Sequence, residues 1–263
     1  MLDTPLSVST THKPGDSYVQ SFARGLEVIR SFNASAPQQT LSEVAARTGL
    51  TRAGARRILL TLQTLGYLES DGRLFRLTPR ILDLGFAYLS STPIWDLAEP
   101  MMEALTERVH ESCSAAVLDG LDIVYVLRIH THKIMSTNLA VGSRLPAFWT
   151  SMGRVLLAAL NPAEARHVLE AAPRPARTEH TVTDIYALMA LIEEVRRQGF
   201  AMIDQEVEVG LRSIAVPLAT ARGHVVAALN VGHAAGAESM AALKERFMPP
   251  LMKVKAELAD VLV

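Results

Sequence analysis

The 263-residue sequence predicts an α+β protein in two parts: a winged helix-turn-helix head, then a larger domain in which helices flank a mostly antiparallel sheet. Three observations carry this. Before residue 80, three apolar helical stripes precede two short strands joined at Asp71-Gly72. Beyond residue 93, adjacent hairpins alternate with helices. Charge divides the same way: residues 1–80 hold ten lysines and arginines against six acids, a net of +4, and the remainder carries −5.

Residues 1–17 are short on large apolar side chains and contain Thr-Thr-His-Lys-Pro-Gly at 10–15, so they read as a flexible arm. Phe22, Leu26, Ile29 and Phe32 recur at helical spacing. Thr40 caps a second helix, with Glu43 completing a capping box, and Gly49 stops it. A third helix runs from Thr51 or Arg52 to Leu65, and Gly66 ends it. Strands follow at 67–70 and 73–77. Thr78-Pro79 then opens a connecting helix carrying Leu82, Phe86 and Leu89. The expected divisions are an arm at 1–17, a winged helix-turn-helix at 18–78, a linker helix at 79–92 and a second domain at 93–263.

In the second domain a helix is expected over 94–111. Strands at 115–118 and 123–129 are split by Asp119-Gly120, and a third covers Ile134–Leu139. A helix at 151–160 leads to Asn161-Pro162, which caps the next. After a loop at 173–183 come a helix at 184–198, strands at 200–203, 213–218 and 225–231, and a closing helix at 237–261.

Composition excludes several classes. At 49% hydrophobic and 20% charged residues, the chain can bury a full core. No apolar run nears the roughly 18 residues of a membrane span, and the N-terminus lacks a signal peptide's basic-then-apolar order. The single cysteine, Cys113, rules out an internal disulfide framework and any multi-thiolate zinc site. The expected compartment is the cytoplasm.

The head carries the first chemical signal. A helix that enters a DNA groove needs a small residue where the two helices cross, a glycine in the turn and apolar residues pinning it. Ala45, Gly49 and the stripe Ala55, Ile58, Leu59, Leu62 meet those needs. The other side of the third helix shows Thr51, Arg52, Arg56 and Arg57, donors suited to a major groove, and Arg73 on the wing can meet a phosphate.

These segments resemble one family. Arg24-Gly25-Leu26-Glu27-Val28-Ile29 and the run from Leu41 through Gly49 to Arg57 are similar to the start of an IclR-type transcriptional regulator. So are Gly142-Ser-Arg-Leu-Pro146 through Gly153 and the run Gly199-Phe200, Asp204, Glu206, Gly210 to Pro217. The resemblance covers about 20–262. The strings Thr51-Arg52-Ala53-Gly54-Ala55-Arg56-Arg57 and Gly-Ser-Arg-Leu-Pro-Ala point to the branch governing aromatic-acid catabolism, with Gly54 in place of the branch's alanine.

The resemblance implies a ligand-responsive regulator, an activator by preference, whose second domain is GAF-like and binds an acid such as 4-hydroxybenzoate or protocatechuate. It implies operator DNA, a second copy of the chain and, for an activator, RNA polymerase as partners, with dimers and tetramers both known in the family. Carried over by position, the effector lining comprises Ile134, Thr137, Leu145, Trp149, Ser151, Met152, Leu211, Ser213 and Asn230, with Asp204 beside it. The start of the helix at 151 offers free N–H groups to a carboxylate. Arg128, Arg144 and Arg154 are further carboxylate partners, each expected instead on the surface or in an ion pair.

No catalytic, metal or cofactor site is expected. Asp204 and Glu206 invite acid/base chemistry but lack a nucleophile and read as turn stabilisers. His110 and Cys113 form a weak nucleophile pair, and His130-x-His132 lacks a third ligand. The rival expectations are an enzyme on the second domain, using Cys113 or Asp204 and Glu206, and a protein-interaction adaptor using the N-terminal helices.

Overall fold

A computed structural model describes Gly15 and residues 17–92, 94–131 and 139–259. These fall into two compact units that divide after Ser91.

In the first unit, α1 (Gln20–Ser31), α2 (Leu41–Thr48) and α3 (Arg52–Thr64) pack around Val28, Val44, Ala55 and Leu59, all fully buried. The start of α2 forms as its sequence predicts. Thr40 accepts from the Glu43 amide while the Glu43 carboxylate accepts from the Thr40 amide. Gly49 ends α2 at φ 66°, a left-handed conformation that glycine adopts without steric cost. Strand β2 (Leu68–Ser70) turns at Asp71-Gly72 into β3 (Leu74–Leu77). A three-residue strand unforeseen in the sequence, β1 (Gln38–Thr40), pairs with the other side of β3. The expected linker helix begins as a 3-10 turn at Pro79–Ile81 and continues as α4 (Leu82–Ser90).

In the second unit six strands form one antiparallel sheet in the order β6-β5-β4-β9-β8-β7. They are β4 (Cys113–Asp119), β5 (Asp122–Ile129), β6 (Arg144–Pro146), β7 (Ala201–Asp204), β8 (Leu211–Ala219) and β9 (Val225–Ala234). Helices α5 (Ile94–Val109) and α9 (Met240–Ala259) pack on each other and on the sheet. Helices α6 (Ser151–Ala159), α7 (Pro162–Ala171) and α8 (Ile185–Gln198) build the opposite layer, with α6 on the sheet. Strand alternation sorts side chains between the layers: the Cys113 thiol bonds to Thr106 and the Met102 carbonyl on α5, while its neighbours Ser112 and Ser114 face the α6 side. The strand expected over Ile134–Leu139 lies outside the described residues except for Leu139, as does most of the arm at 1–17. Strand β6 was not foreseen. No helix among the described residues is long and apolar enough to cross a membrane.

Candidate functional site

On α3, Ala55 and Leu59 point inward, and helical geometry therefore turns Arg52, Arg56 and Arg57 to solvent, where all three are exposed. None of the three is in an ion pair among the described residues. Thr51 caps the helix by accepting from the Gly54 amide, and an alanine Cβ at 54 would stand 3.2 Å from that hydroxyl. Arg73 is exposed beside the wing turn. Arg76 is held by Glu69 at 2.7 Å, and Arg80 folds back onto the Leu65 carbonyl and the Tyr67 ring.

Between the sheet and α6 lies a cavity of about 40 Å³. Leu139, Leu145, Ile203, Val207 and Leu211 make its apolar wall. Its polar floor comes from one face of the sheet: Ser112 and Ser114 on or beside β4, Arg128 on β5, Asn230 on β9 and Ser213 on β8. Tyr125, Thr150 and Gly232 complete the lining. Burial pushes the Tyr125 hydroxyl up to about 12, and burial also works against the charge on Arg128. Arg128 donates from Nη1 to the Ser114 hydroxyl at 2.9 Å, while its buried Nε has no partner among the described residues. A half-buried, incompletely paired guanidinium is chemically suited to an anion.

Four of the sequence-predicted effector residues thus line the cavity: Leu145, Leu211, Ser213 and Asn230. Ile134 and Thr137 lie outside the described residues. The other four do not line it. Trp149 donates its indole N–H to the Pro175 carbonyl and is stacked under Arg177. The Ser151 hydroxyl is hydrogen-bonded to that of Ser213 at 2.8 Å, which leaves Ser151 one step behind the lining. Met152 is fully buried in the core against α6's own layer. Asp204 pairs with Arg212 through both carboxylate oxygens, and that partner holds its carboxyl below the usual range. The start of α6 is capped by the Thr150 hydroxyl, which accepts from the Gly153 amide.

Of the three arginines, Arg144 binds Asp119 and Asp122 at the surface and Arg154 is buried against Glu206, so the expectation held for those two. It failed for Arg128. Strand alternation was the available signal, but a bulge at Ala115/Ala116 shifts the β4–β5 register and obscures which β5 residues face inward.

Neither Asp204 nor Glu206 is free for acid/base work, since each sits in an arginine pair. The Cys113 thiol is pushed up to about 11 by burial, far from a thiolate nucleophile. Among the described residues no three His, Cys, Asp or Glu side chains could hold a metal ion.

Residues 21–72 match the IclR helix-turn-helix domain, and residues 86–252 match the C-terminal domain of the bacterial transcriptional regulator IclR. The chain is 44% identical to the Pca regulon regulatory protein of Pseudomonas putida over 93% of this chain and 84% of that one. It is 31% identical to the p-hydroxybenzoate hydroxylase transcriptional activator of Acinetobacter baylyi, over 94% and 93% of the two chains. Among solved structures, an IclR homolog from Microbacterium hydrocarbonoxydans complexed with 4-hydroxybenzoate aligns with a TM-score of 0.78 at 29% identity, covering 91% of this chain and 99% of that one.

Proposed function

The chain belongs to the IclR family of bacterial transcriptional regulators, whose matched relatives are named regulators rather than enzymes, and from that premise we propose that it activates genes for the catabolism of an aromatic acid when it binds that acid. The observation that carries the proposal is the cavity floor: a half-buried guanidinium whose buried Nε has no partner among the described residues, set on a polar floor opposite an apolar wall, suits a carboxylate on a flat ring. The 4-hydroxybenzoate bound to the Microbacterium homolog and the activator named in Acinetobacter support the class of ligand and the direction of the response.

In this reading residues 1–17 are an arm, 18–78 read operator DNA, 79–92 connect and 93–263 sense the acid. Thr51, Arg52, Arg56 and Arg57 enter the major groove and Arg73 meets a phosphate. One head contacts too little DNA for high specificity, so a dimer reads a palindrome. Its contact surface includes the solvent-facing Leu82 and Phe86 of α4, each about 70% exposed. Pairs of dimers form the tetramer. The protein works in the cytoplasm, where operator and RNA polymerase are. The cavity is smaller than the about 150 Å³ that takes a benzene ring. An aromatic acid therefore enters by displacing the leucine wall, and it alters transcription through the difference in its affinity for the closed and the displaced arrangement.

Calorimetry with 4-hydroxybenzoate and protocatechuate tests this on the whole chain. Wild type binds at least one of them, and Arg128→Leu weakens that binding roughly 10–100-fold. Failure of both acids to bind wild type refutes the aromatic-acid assignment.

A further inference from the structure

We propose that Thr78 and Arg80 weld the linker helix α4 to the end of the recognition helix α3, so that α4 and the reading head turn as one body and the direction of α4 sets the spacing of operator half-sites. Arg80 is thereby a positioning residue for DNA reading. The half-site clause rests on the reading of the protein as a dimer on a palindrome; the weld itself does not.

Helix α3 ends in a left-handed turn. Gly66 stands at φ 80°, and the Tyr67 amide reaches back to the Leu62 carbonyl. The last carbonyls of a helix have no intrahelical donor. Here the carbonyls of Leu65, Gly66 and Tyr67 are each taken by the start of the linker: Leu65 accepts from Arg80 Nη1 at 2.9 Å, Gly66 from the Thr78 hydroxyl at 2.6 Å and Tyr67 from the Thr78 amide at 3.0 Å. The Arg80 guanidinium also lies over the Tyr67 ring, 5.8 Å from its centroid, and so puts a cation at the negative end of α3. A Cβ on Gly66 would stand 2.9 Å from Arg80 Nη1, so the glycine serves this seat as well as the turn.

Two features separate the arrangement from the ordinary closing of a turn. Thr78 precedes the 3-10 turn at Pro79–Ile81, where a hydroxyl is well placed to cap that turn. It makes no such bond and donates backward to the end of α3 instead. In addition, α4 buries none of its own side chains, so its direction is set where it starts. The residues that set it are the ones that hold α3. Two base pairs of spacer turn one half-site by about 70° around the DNA, a rotation that welded heads cannot follow.

Two measurements on the full chain test this. Spin labels at Ala53→Cys on α3 and Ala87→Cys on α4, both exposed positions, report the distance between the helices in a Cys113→Ala background diluted with unlabelled protein. With Thr78 and Arg80 intact the distance is single and narrow. Arg80→Met combined with Thr78→Val broadens it, and Arg80→Lys, which keeps a cation and a donor, leaves it narrow. The second measurement uses duplexes selected by wild type from a random pool, remade with spacers two base pairs longer or shorter. Wild type loses about tenfold or more in affinity, whereas the double variant loses less than about threefold. The double variant still binds a single half-site as tightly as wild type, which shows that its head is folded. Arg80→Met alone carries the same expectation in smaller degree where the pair disturbs folding. A distance that stays narrow in the double variant, or a spacing penalty that survives in it, overturns the proposal. Failure of wild type to bind any duplex overturns the operator reading, and the label distance then decides the weld.

Discussion

Arg154 and Glu206 form a two-pronged ion pair inside the sensor domain, with Nη1–Oε1 at 2.7 Å and Nη2–Oε2 at 2.5 Å and each side chain less than a tenth exposed. The pair ties the first turn of α6 to the segment that carries Val207, a wall of the cavity. The same carboxylate accepts from the Val182 amide, and the Arg154 Nε donates to the Phe148 carbonyl. Every charge-bearing atom is thus occupied, which leaves this arginine no free nitrogen to offer an anion.

Breaking the pair from one side leaves a buried charge uncompensated. Glu206→Ala is expected to cost about 3–5 kcal/mol, whereas Arg154→Met combined with Glu206→Leu retains more stability than Glu206→Ala alone. Urea unfolding of the three proteins decides it. A double variant less stable than the single one contradicts the argument.

Arg56 and Arg57 face solvent on α3 while Ala55 and Leu59 hold that helix in the core. Changing both arginines to alanine is expected to abolish operator binding and leave the melting temperature of the head within a few degrees of wild type. Gel shifts at several salt concentrations check this, because each lost phosphate contact lowers the salt slope by about 0.9. Affinity within about twofold of wild type at every salt would remove these residues from the interface.

Burial raises the Cys113 thiol from 9.0 to about 11, against the smaller opposing effect of the Thr106 hydroxyl. The sign follows from linkage: the unfolded chain sheds this proton first as pH rises. The stability from Cys113 is therefore full below about pH 9 and is lost as pH approaches 11. Two measurements check it. The native protein should resist thiol labelling at pH 8 until denaturant is added, and Cys113→Ala should flatten the alkaline limb of the stability profile. Rapid labelling of the native state contradicts both.

The parts of the fold written in local chemistry were legible. Thr40 with Glu43 forms the capping box that its spacing predicts, Asn161 caps α7 as expected, and Asp71-Gly72 turns the wing. Strands β1 and β6 escaped because three residues are too few to show a period, and only pairing with β3 and β5 makes them strands. The site divided along a similar line. Ser213 and Asn230 belong to the long strands β8 and β9 and line the cavity. Trp149, Ser151 and Met152 are close to Thr150 in the chain, but the 3-10 turn at Ala147–Trp149 and the first turn of α6 rotate them away. Arg128 was obscured by the bulge between its strand and β4, a tertiary feature without a local signature.

Gly153 shows how closely the sensor is built. A Cβ on this residue would stand 1.9 Å from the Ala147 carbonyl oxygen and 2.5 Å from the carbon behind it, so the first turn of α6 rests directly on the preceding 3-10 turn. Backbone cannot swing aside as a flexible side chain can. Gly153→Ala therefore has to lift α6 from that turn, which strains the Thr150 cap, the Ser151–Ser213 bond and the Arg154–Glu206 pair together. The expected cost is about 1–3 kcal/mol or more, with loss of acid binding because Thr150 and Ser213 both line the cavity. Gly236→Ala is the control, since a Cβ there meets nothing within 4 Å. Thermal unfolding and calorimetry of the two variants should separate them clearly. If Gly153→Ala proves as mild as Gly236→Ala and still binds the acid, the helix start is looser than its contact with Ala147 implies, and the first turn of α6 is not what shapes the cavity.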